Sequence, residues 1–264
     1  SFGGRIQYAP TRGRKWYVRG CGIRFLPKTS VGRIQYAPTR GHEWFMRIGM
    51  IVFCWGFLDD CFLLGVFRYV FSRECFLSVQ KQKERYLLHD NSLANTGYRS
   101  FLKDFADTAL NQSRALLGAP PATIFDYGCG NGALIELLQT NKEDLLLPAD
   151  TEIRGWDPLF APAAQPFPGG ADLVLCLEVA EHFENPAEGF AGLSRACKRG
   201  GVLAVRTLFA PETEREFKSW WYKEDPTHVS FYTQKALTLC AKDAGFEPCG
   251  IYNNCSIFRA AFPR

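Results

Sequence analysis

The sequence is short of several things that would narrow its chemistry at once. It has four histidines and two methionines, so any imidazole site must draw on His42, His89, His182 and His228. Ten cysteines are present, yet none forms a C-x-x-C pair. That removes the usual spacing of zinc ribbons and dithiol redox sites. No basic-then-apolar leader precedes them, and the chain opens on Ser-Phe-Gly-Gly rather than Met. The thiols therefore read as reduced, the setting as cytoplasmic, and the chain as a fragment or a processed product. Acid is nearly absent from residues 1–50, which hold Glu43 against ten Lys/Arg; residues 51–264 hold 21 basic and 26 acidic side chains. A nucleic-acid or anionic-surface reading is thus confined to the N-terminal stretch, and no specific nucleic acid is expected elsewhere. A clean membrane span is also missing. "GMIVFCWGFLDDCFLLGVF" at 49–67 approaches the length but carries Asp59 and Asp60 at its middle, each costing about 2.5–3.5 kcal/mol at a helix centre. Membrane contact, on this reading, is restricted to 49–67.

What is present is globular: 264 residues, 47% apolar and 22% charged, enough for one substantial core. "GRIQYAPTRG" occurs twice, at 4–13 and 32–41. Two copies are too few for a solenoid, and residues 1–75 read as an irregular extension, basic and then apolar. Residues 76–264 read as the functional domain. Its first part, 76–121, is helical: one helix over 78–89, a polar turn, and a second from about Tyr98, where Phe101, Leu102, Phe105, Ala109 and Leu110 recur at helical spacing. From Ala122 the pattern alternates. "ATIFDYG", "TEIRGWD", "ADLVLCLE" and "VLAVRTL" read as strands; "ALIELLQ", "PAEGFAGLSRACK" and "TQKALTLCAKDAGF" read as helices. "EPCGIYN" and "CSIFRAAF" suggest a terminal hairpin. This order predicts an α/β fold with a doubly wound, mainly parallel sheet.

"FDYGCGNGA" at 125–133 follows a strand and opens a helix. Gly128, Gly130 and Gly132 allow a tight turn and close approach to a ligand. Asp126 closes the strand, and Asp157 in "GWDP" ends the next one, where a carboxylate can hold a ribose or simply start a turn. These features suit a dinucleotide as well as other adenosine cofactors, so an NAD(P)-dependent oxidoreductase stays open on them alone.

The series "DYGCGNG", "GWDP", "ADLVLCLEVAEHFENP", "CKRGGVLAVRT" and "DPTHVSFYTQKAL…AGF" resembles the class I S-adenosylmethionine-dependent methyltransferases. It is most similar to the bacterial branch that places "ERYLLHDNS…GYRSFL" before the glycine loop. The resemblance covers about residues 76–258 and implies a Rossmann-like methyltransferase fold acting on a small-molecule acceptor. It implies that Gly128, Gly130 and Gly132 lie under the methionine part of the cofactor, Asp126 near its amino end, Asp157 on the ribose, and Leu177 and Glu178 beside the methyl group. Residues 76–121 would form a lid, with Tyr86, His89, Asn91 and Tyr98 at the cofactor mouth unless they serve only in capping and packing. Cys21 in "RGCGIRF" is not expected to bind zinc. Only 14 residues separate Asp157 from Asp172, so the third βα unit is expected to be reduced, and no adenine-binding residue is assigned.

"LEVAEHF" at 177–183 puts Glu178, Glu181 and His182 on one face if it begins a helix. With His228 they resemble the Mg²⁺ or Mn²⁺ site of small-RNA 2′-O-methyltransferases and ubiquinone-pathway O-methyltransferases, whose E-x-x-E-H motif and later His occupy similar places. The alternatives are a capping Glu181 with a packed His182, and His228 as a metal-free general base. Trp220, Trp221, Tyr222, Phe231 and Tyr232 either wall an acceptor pocket or fill core. A non-catalytic cofactor-binding protein is the remaining reading. The sequence does not set the acceptor or the oligomeric state.

Overall fold

In a computed structural model, the described residues are 77–261 and the backbone of three short strands nearer the N-terminus. Those strands, β1 (Arg24–Leu26), β2 (Gly32–Gln35) and β3 (Phe45–Ile48), pair antiparallel in the order β1-β2-β3. The extension expected to be irregular thus carries a short sheet, and β2 opens the second repeat copy. The first repeat copy and the apolar stretch 49–67 lie outside the described residues, as do Cys21 and His42.

Two helices precede the main sheet. α1 (Val79–Tyr86) is capped by the Ser78 hydroxyl, and α2 (Thr96–Leu117) by Asn95, whose side chain accepts from the Tyr98 N–H. α2 ends on Gly118 in the left-handed conformation that favours glycine. There follow β4 (Thr123–Tyr127), α3 (Ala133–Thr140), β5 (Glu152–Trp156), β6 (Ala171–Leu177), α4 (Pro186–Ala196), β7 (Cys197–Arg206), α5 (Glu214–Ser219), α6 (Gln234–Asp243), β8 (Phe246–Tyr252) and β9 (Cys255–Ala260).

The six-stranded sheet runs β5-β4-β6-β7-β9-β8. β5, β4, β6 and β7 are parallel, and the terminal hairpin adds antiparallel to β7. Strand alternation divides the core in two. Leu173, Leu175, Val202 and Ala204 pack toward α2 and α3 with Leu102, Phe105 and Leu138. Val174, Cys176, Leu203 and Val205 pack on the other face with Phe190, Leu237 and Phe246 from α4, α6 and β8. Helices on both faces make this a doubly wound α/β fold, with a mainly parallel sheet as expected. Between β5 and β6 the described residues hold neither a helix nor a further strand, only an isolated bridge of Asp157 with Ala161.

Two local readings are corrected. β7 begins at Cys197 and takes in Gly200 and Gly201, so its first half is strand rather than the end of a helix. "LEVAEHF" does not begin an α-helix. Glu178 sits after β6 with φ +51°, and only Ala180–His182 forms a single 3₁₀ turn. Among the described residues, no helix is long and apolar enough to cross a membrane.

Candidate active site

The parallel strands deliver their carboxyl ends to one edge of the sheet, and the site residues gather there. The loop after β4 turns through Gly128, Gly130 and Gly132 with φ of +83°, +52° and +89°. It is tied to β5 by N–H donations from Gly128 and Cys129 to the Trp156 carbonyl, at 2.7 and 3.0 Å. Gly130 is required twice. Its φ lies in the left-handed region, and a Cβ there would run into the Tyr86 hydroxyl.

That hydroxyl is one contact between the helical segment before the main sheet, expected from sequence to be a lid, and the loop. It accepts from the Asn131 N–H at 3.3 Å, while the Asn131 amide donates to the Asn91 carbonyl at 2.9 Å. The Tyr86 ring packs on Phe160, with centroids 4.8 Å apart. Two sequence-predicted lid residues, Tyr86 and Asn91, therefore reach the glycine loop. His89 does not: its Nε2 stands 3.7 Å from Asp225, beside the Arg85–Asp225 ion pair at 2.9 Å. Residues 85–91 thus touch both the glycine loop and the segment bearing His228.

Asp126 and Asp157 are both buried. Burial pushes the Asp126 carboxyl up to about 7, with the Asp157 charge adding to the effect. Asp157 is held by backbone donors: Gly130 N–H to Oδ2 at 3.0 Å, and Leu159 and Phe160 N–H to Oδ1 at 2.7 and 3.0 Å. It fixes the loop and the turn after β5 together, which is the turn-forming role its place before Pro158 allows.

Beyond β6 lies a second cluster. One ligand atom from each of Glu181, His182 and His228 falls within 4.8 Å of the others. Glu178, the fourth member expected from sequence, stands outside this trio and joins it through Tyr222. The Tyr222 hydroxyl is 2.6 Å from Glu181 Oε1 and 2.8 Å from Glu178 Oε2. Glu181 is fully buried, and its Oε2 has no hydrogen-bond partner. The Tyr222 and Thr207 hydroxyls both favour the charged form of Glu181 and offset part of the effect of burial. Burial raises both glutamates; the Glu181 charge raises Glu178 further, and the Asp225 charge raises Glu181.

The histidines are anchored at one nitrogen each. His182 Nδ1 lies 2.9 Å from the Thr227 carbonyl, and His228 Nδ1 lies 2.7 Å from the Tyr222 carbonyl. A carbonyl only accepts, so Nδ1 carries the proton in both and Nε2 keeps its lone pair. Burial, then His182, lowers the His228 pKa to about 4, which leaves it neutral at physiological pH. The 219–233 aromatics divide between roles. Tyr222 and Phe231 pack with Ala210 in a small buried cluster, Tyr232 belongs to the main core, and Trp221 is exposed. Sequence reading offered Tyr222 only as pocket wall or core filler and gave no role to Asn131 or Asp225. Asn131 sat in plain view between two glycines; Tyr222 and Asp225 act across more than 40 positions of chain and leave no local signal.

A family model described as a methyltransferase domain matches residues 93–249. A ubiquinone biosynthesis O-methyltransferase of Methylococcus capsulatus is 34% identical over 155 residues, which cover 48% of this chain and 63% of that relative. Among solved structures, Burkholderia thailandensis 1,6-didemethyltoxoflavin-N1-methyltransferase aligns with a TM-score of 0.47 and 13% identity, covering 71% of this chain and 92% of that one. Human N-acetylserotonin methyltransferase aligns with a TM-score of 0.40 and 15% identity, covering 64% and 58%. The family match spans more than half of the sequence, and this chain belongs to the methyltransferase-domain family.

Proposed function

We propose that the protein transfers the methyl group of S-adenosylmethionine to an oxygen or nitrogen of a small-molecule acceptor. The acceptor's lone pair forms the new bond to the methyl carbon as the sulfur–carbon bond breaks. Its electrons pass to sulfur, and the acceptor's proton is lost. The cofactor is already activated, so the chain's part is to bind, orient and exclude water. The observation that carries this reading is the closed glycine loop: three left-handed glycines beside buried Asp126, covered by Tyr86 and Asn91, one strand away from Glu178. We assign Gly128, Gly130, Gly132 and Asp126 to the methionine part of the cofactor and Leu177 and Glu178 to the region of the methyl group. Asp157 holds the loop and reaches the ribose only if it gives up part of its backbone bonding. A cytoplasmic setting belongs to the same reading.

Metal assistance is part of the proposal. Glu181, His182 and His228 would hold a divalent ion such as Mn²⁺ or Mg²⁺, with Glu178 beside them through Tyr222. Their fit rests on the unpartnered Glu181 Oε2 and on two imidazoles whose Nε2 lone pairs are left available by the Nδ1 anchors. When bound, such an ion supplies positive charge that lowers the pKa of a nearby acceptor hydroxyl. A His228 pKa near 4 favours this ligand role over a general base, which would need a pKa nearer neutrality. An oxygen acceptor also agrees with the name of the M. capsulatus relative, which is an O-methyltransferase.

The test is transfer of labelled methyl groups to a panel of hydroxylated and amine metabolites, with and without a chelator. Transfer to a hydroxylated acceptor, lost on chelation and restored by Mn²⁺, is expected. Cofactor binding with no transfer to any acceptor would favour a non-catalytic binding protein. Transfer that survives complete chelation would remove the metal.

A further inference from the structure

Outside the loop and the histidine cluster, the Arg206 guanidinium makes no hydrogen bond or ion pair among the described residues. Arg206 ends β7 directly beside the end of β6: it pairs with Leu177, and its carbonyl accepts the Glu178 N–H at 2.8 Å. Val202 and Ala204 face α2, and strand alternation sends Arg206 the same way. Its guanidinium carbon lies 4.2 Å from the centre of the Phe101 ring on α2. Its Nε is buried and has no hydrogen-bond partner. No ion pair joins the guanidinium to any carboxylate among the described residues. The Glu178 charge is the acid it influences, from beyond contact distance. A half-buried guanidinium with no carboxylate in contact and an unbonded Nε is a costly arrangement for stability alone.

The sheet order says which anion would meet it. β4 carries the cofactor loop, β6 carries Glu178, and β7 carries Arg206 on the far side. At about 4.8 Å per strand, the Arg206 backbone stands roughly 10 Å from the end of β4. The cofactor's own carboxylate belongs with the glycine loop, so Arg206 lies across the methyl position from it, where an acceptor must sit.

We propose that Arg206 and Phe101 form the acceptor subsite, and that the acceptor is a small molecule bearing a carboxylate. This rests on the methyl-transfer reading above. The planar guanidinium presents parallel N–H donors that match a carboxylate's two oxygens, a geometry a lysine lacks. Phe101 supplies the apolar wall next to it. Bound this way, the acceptor's hydroxyl or amine points back toward Leu177 and Glu178.

The experiment uses the full chain with S-adenosylhomocysteine present and two matched probes, 3,4-dihydroxybenzoate and 3,4-dihydroxybenzamide. They differ in charge and hardly in shape. Calorimetry is expected to show the acid binding about 10–100-fold more tightly than the amide, the range set by a hydrogen bond to a charged group. Arg206→Gln should bring the acid down to the level of the amide while leaving the amide and S-adenosylhomocysteine unchanged. Arg206→Lys should keep part of the preference. Should Arg206→Gln not fold, the acid–amide difference in the unmodified protein and its reduction in Arg206→Lys still decide the matter. Equal binding of acid and amide, or binding of neither, overturns the proposal. So does a loss of S-adenosylhomocysteine affinity in Arg206→Gln, which would assign the arginine to the cofactor. If S-adenosylhomocysteine does not bind at all, the methyl-transfer reading fails, while the same two probes still judge Arg206.

Discussion

Replacing Tyr222 by Phe removes one oxygen from the centre of the acidic cluster and keeps the ring. That oxygen is 2.6 Å from Glu181 and 2.8 Å from Glu178. A phenol has one proton and donates to one carboxyl at a time, so both contacts are hydrogen bonds only when the other carboxyl carries a proton. Glu181 Oε2 is already unpartnered, so the variant leaves that buried carboxyl with no Tyr222 bond at all. Stranding a buried polar group costs about 1–3 kcal/mol. For a domain of this size 2 kcal/mol is roughly 4–8 °C in melting temperature. The sign with pH follows from the two glutamates. Burial raises their folded pKa values above the unfolded ones, so the folded state holds more protons than the unfolded state across the window between them. Stability is therefore lost as pH rises through that window. Tyr222 donates to the ionised form and offsets part of the loss. The deficit of Tyr222→Phe should accordingly be larger at about pH 8.5 than at about pH 5.5. Thermal melts of both proteins at both pH values measure it. No deficit, or an equal one at both, would refute the shared-proton account of this cluster.

Two further predictions concern the cofactor loop. Asp126, with its carboxyl raised to about 7 by burial and by Asp157, must be ionised to hold a cofactor ammonium. S-adenosylhomocysteine affinity, measured by calorimetry, should rise about tenfold between pH 6 and pH 8, and Asp126→Asn should abolish that dependence. Gly130→Ala places a Cβ on the Tyr86 hydroxyl at a left-handed φ. With strain of about 1–3 kcal/mol concentrated at the loop, S-adenosylhomocysteine affinity should fall about 5–150-fold; an unchanged affinity would mean that Tyr86 does not cover the bound cofactor's loop.

The sheet was legible because its signals are local. Apolar runs such as "LVLCL" must be buried on both faces, and the left-handed turns at Gly128, Gly130 and Gly132 admit few other residues. The start of β7 was hidden because Lys198, Arg199 and Gly200 interrupt the apolar pattern with charge and flexibility. The conformation of Glu178 was hidden for a different reason. A left-handed glutamate is unfavourable by itself and is held by contacts made elsewhere, its N–H on the Arg206 carbonyl and its carboxylate on Tyr222. The Arg85–Asp225 ion pair joins residues 140 positions apart, and no periodicity foretells such a pairing. Sequence singled out Glu181, His182 and His228, which the structure gathers within 4.8 Å; the hydroxyl that joins Glu178 to them emerged from packing.

The central claim is that the loop after β4 binds the methyl donor rather than a nicotinamide dinucleotide. Titration of the full chain with S-adenosylhomocysteine and, separately, with NADH tests it most directly. The account predicts saturable S-adenosylhomocysteine binding that Gly130→Ala weakens, and no competing response to NADH. NADH binding without any response to S-adenosylhomocysteine would contradict it.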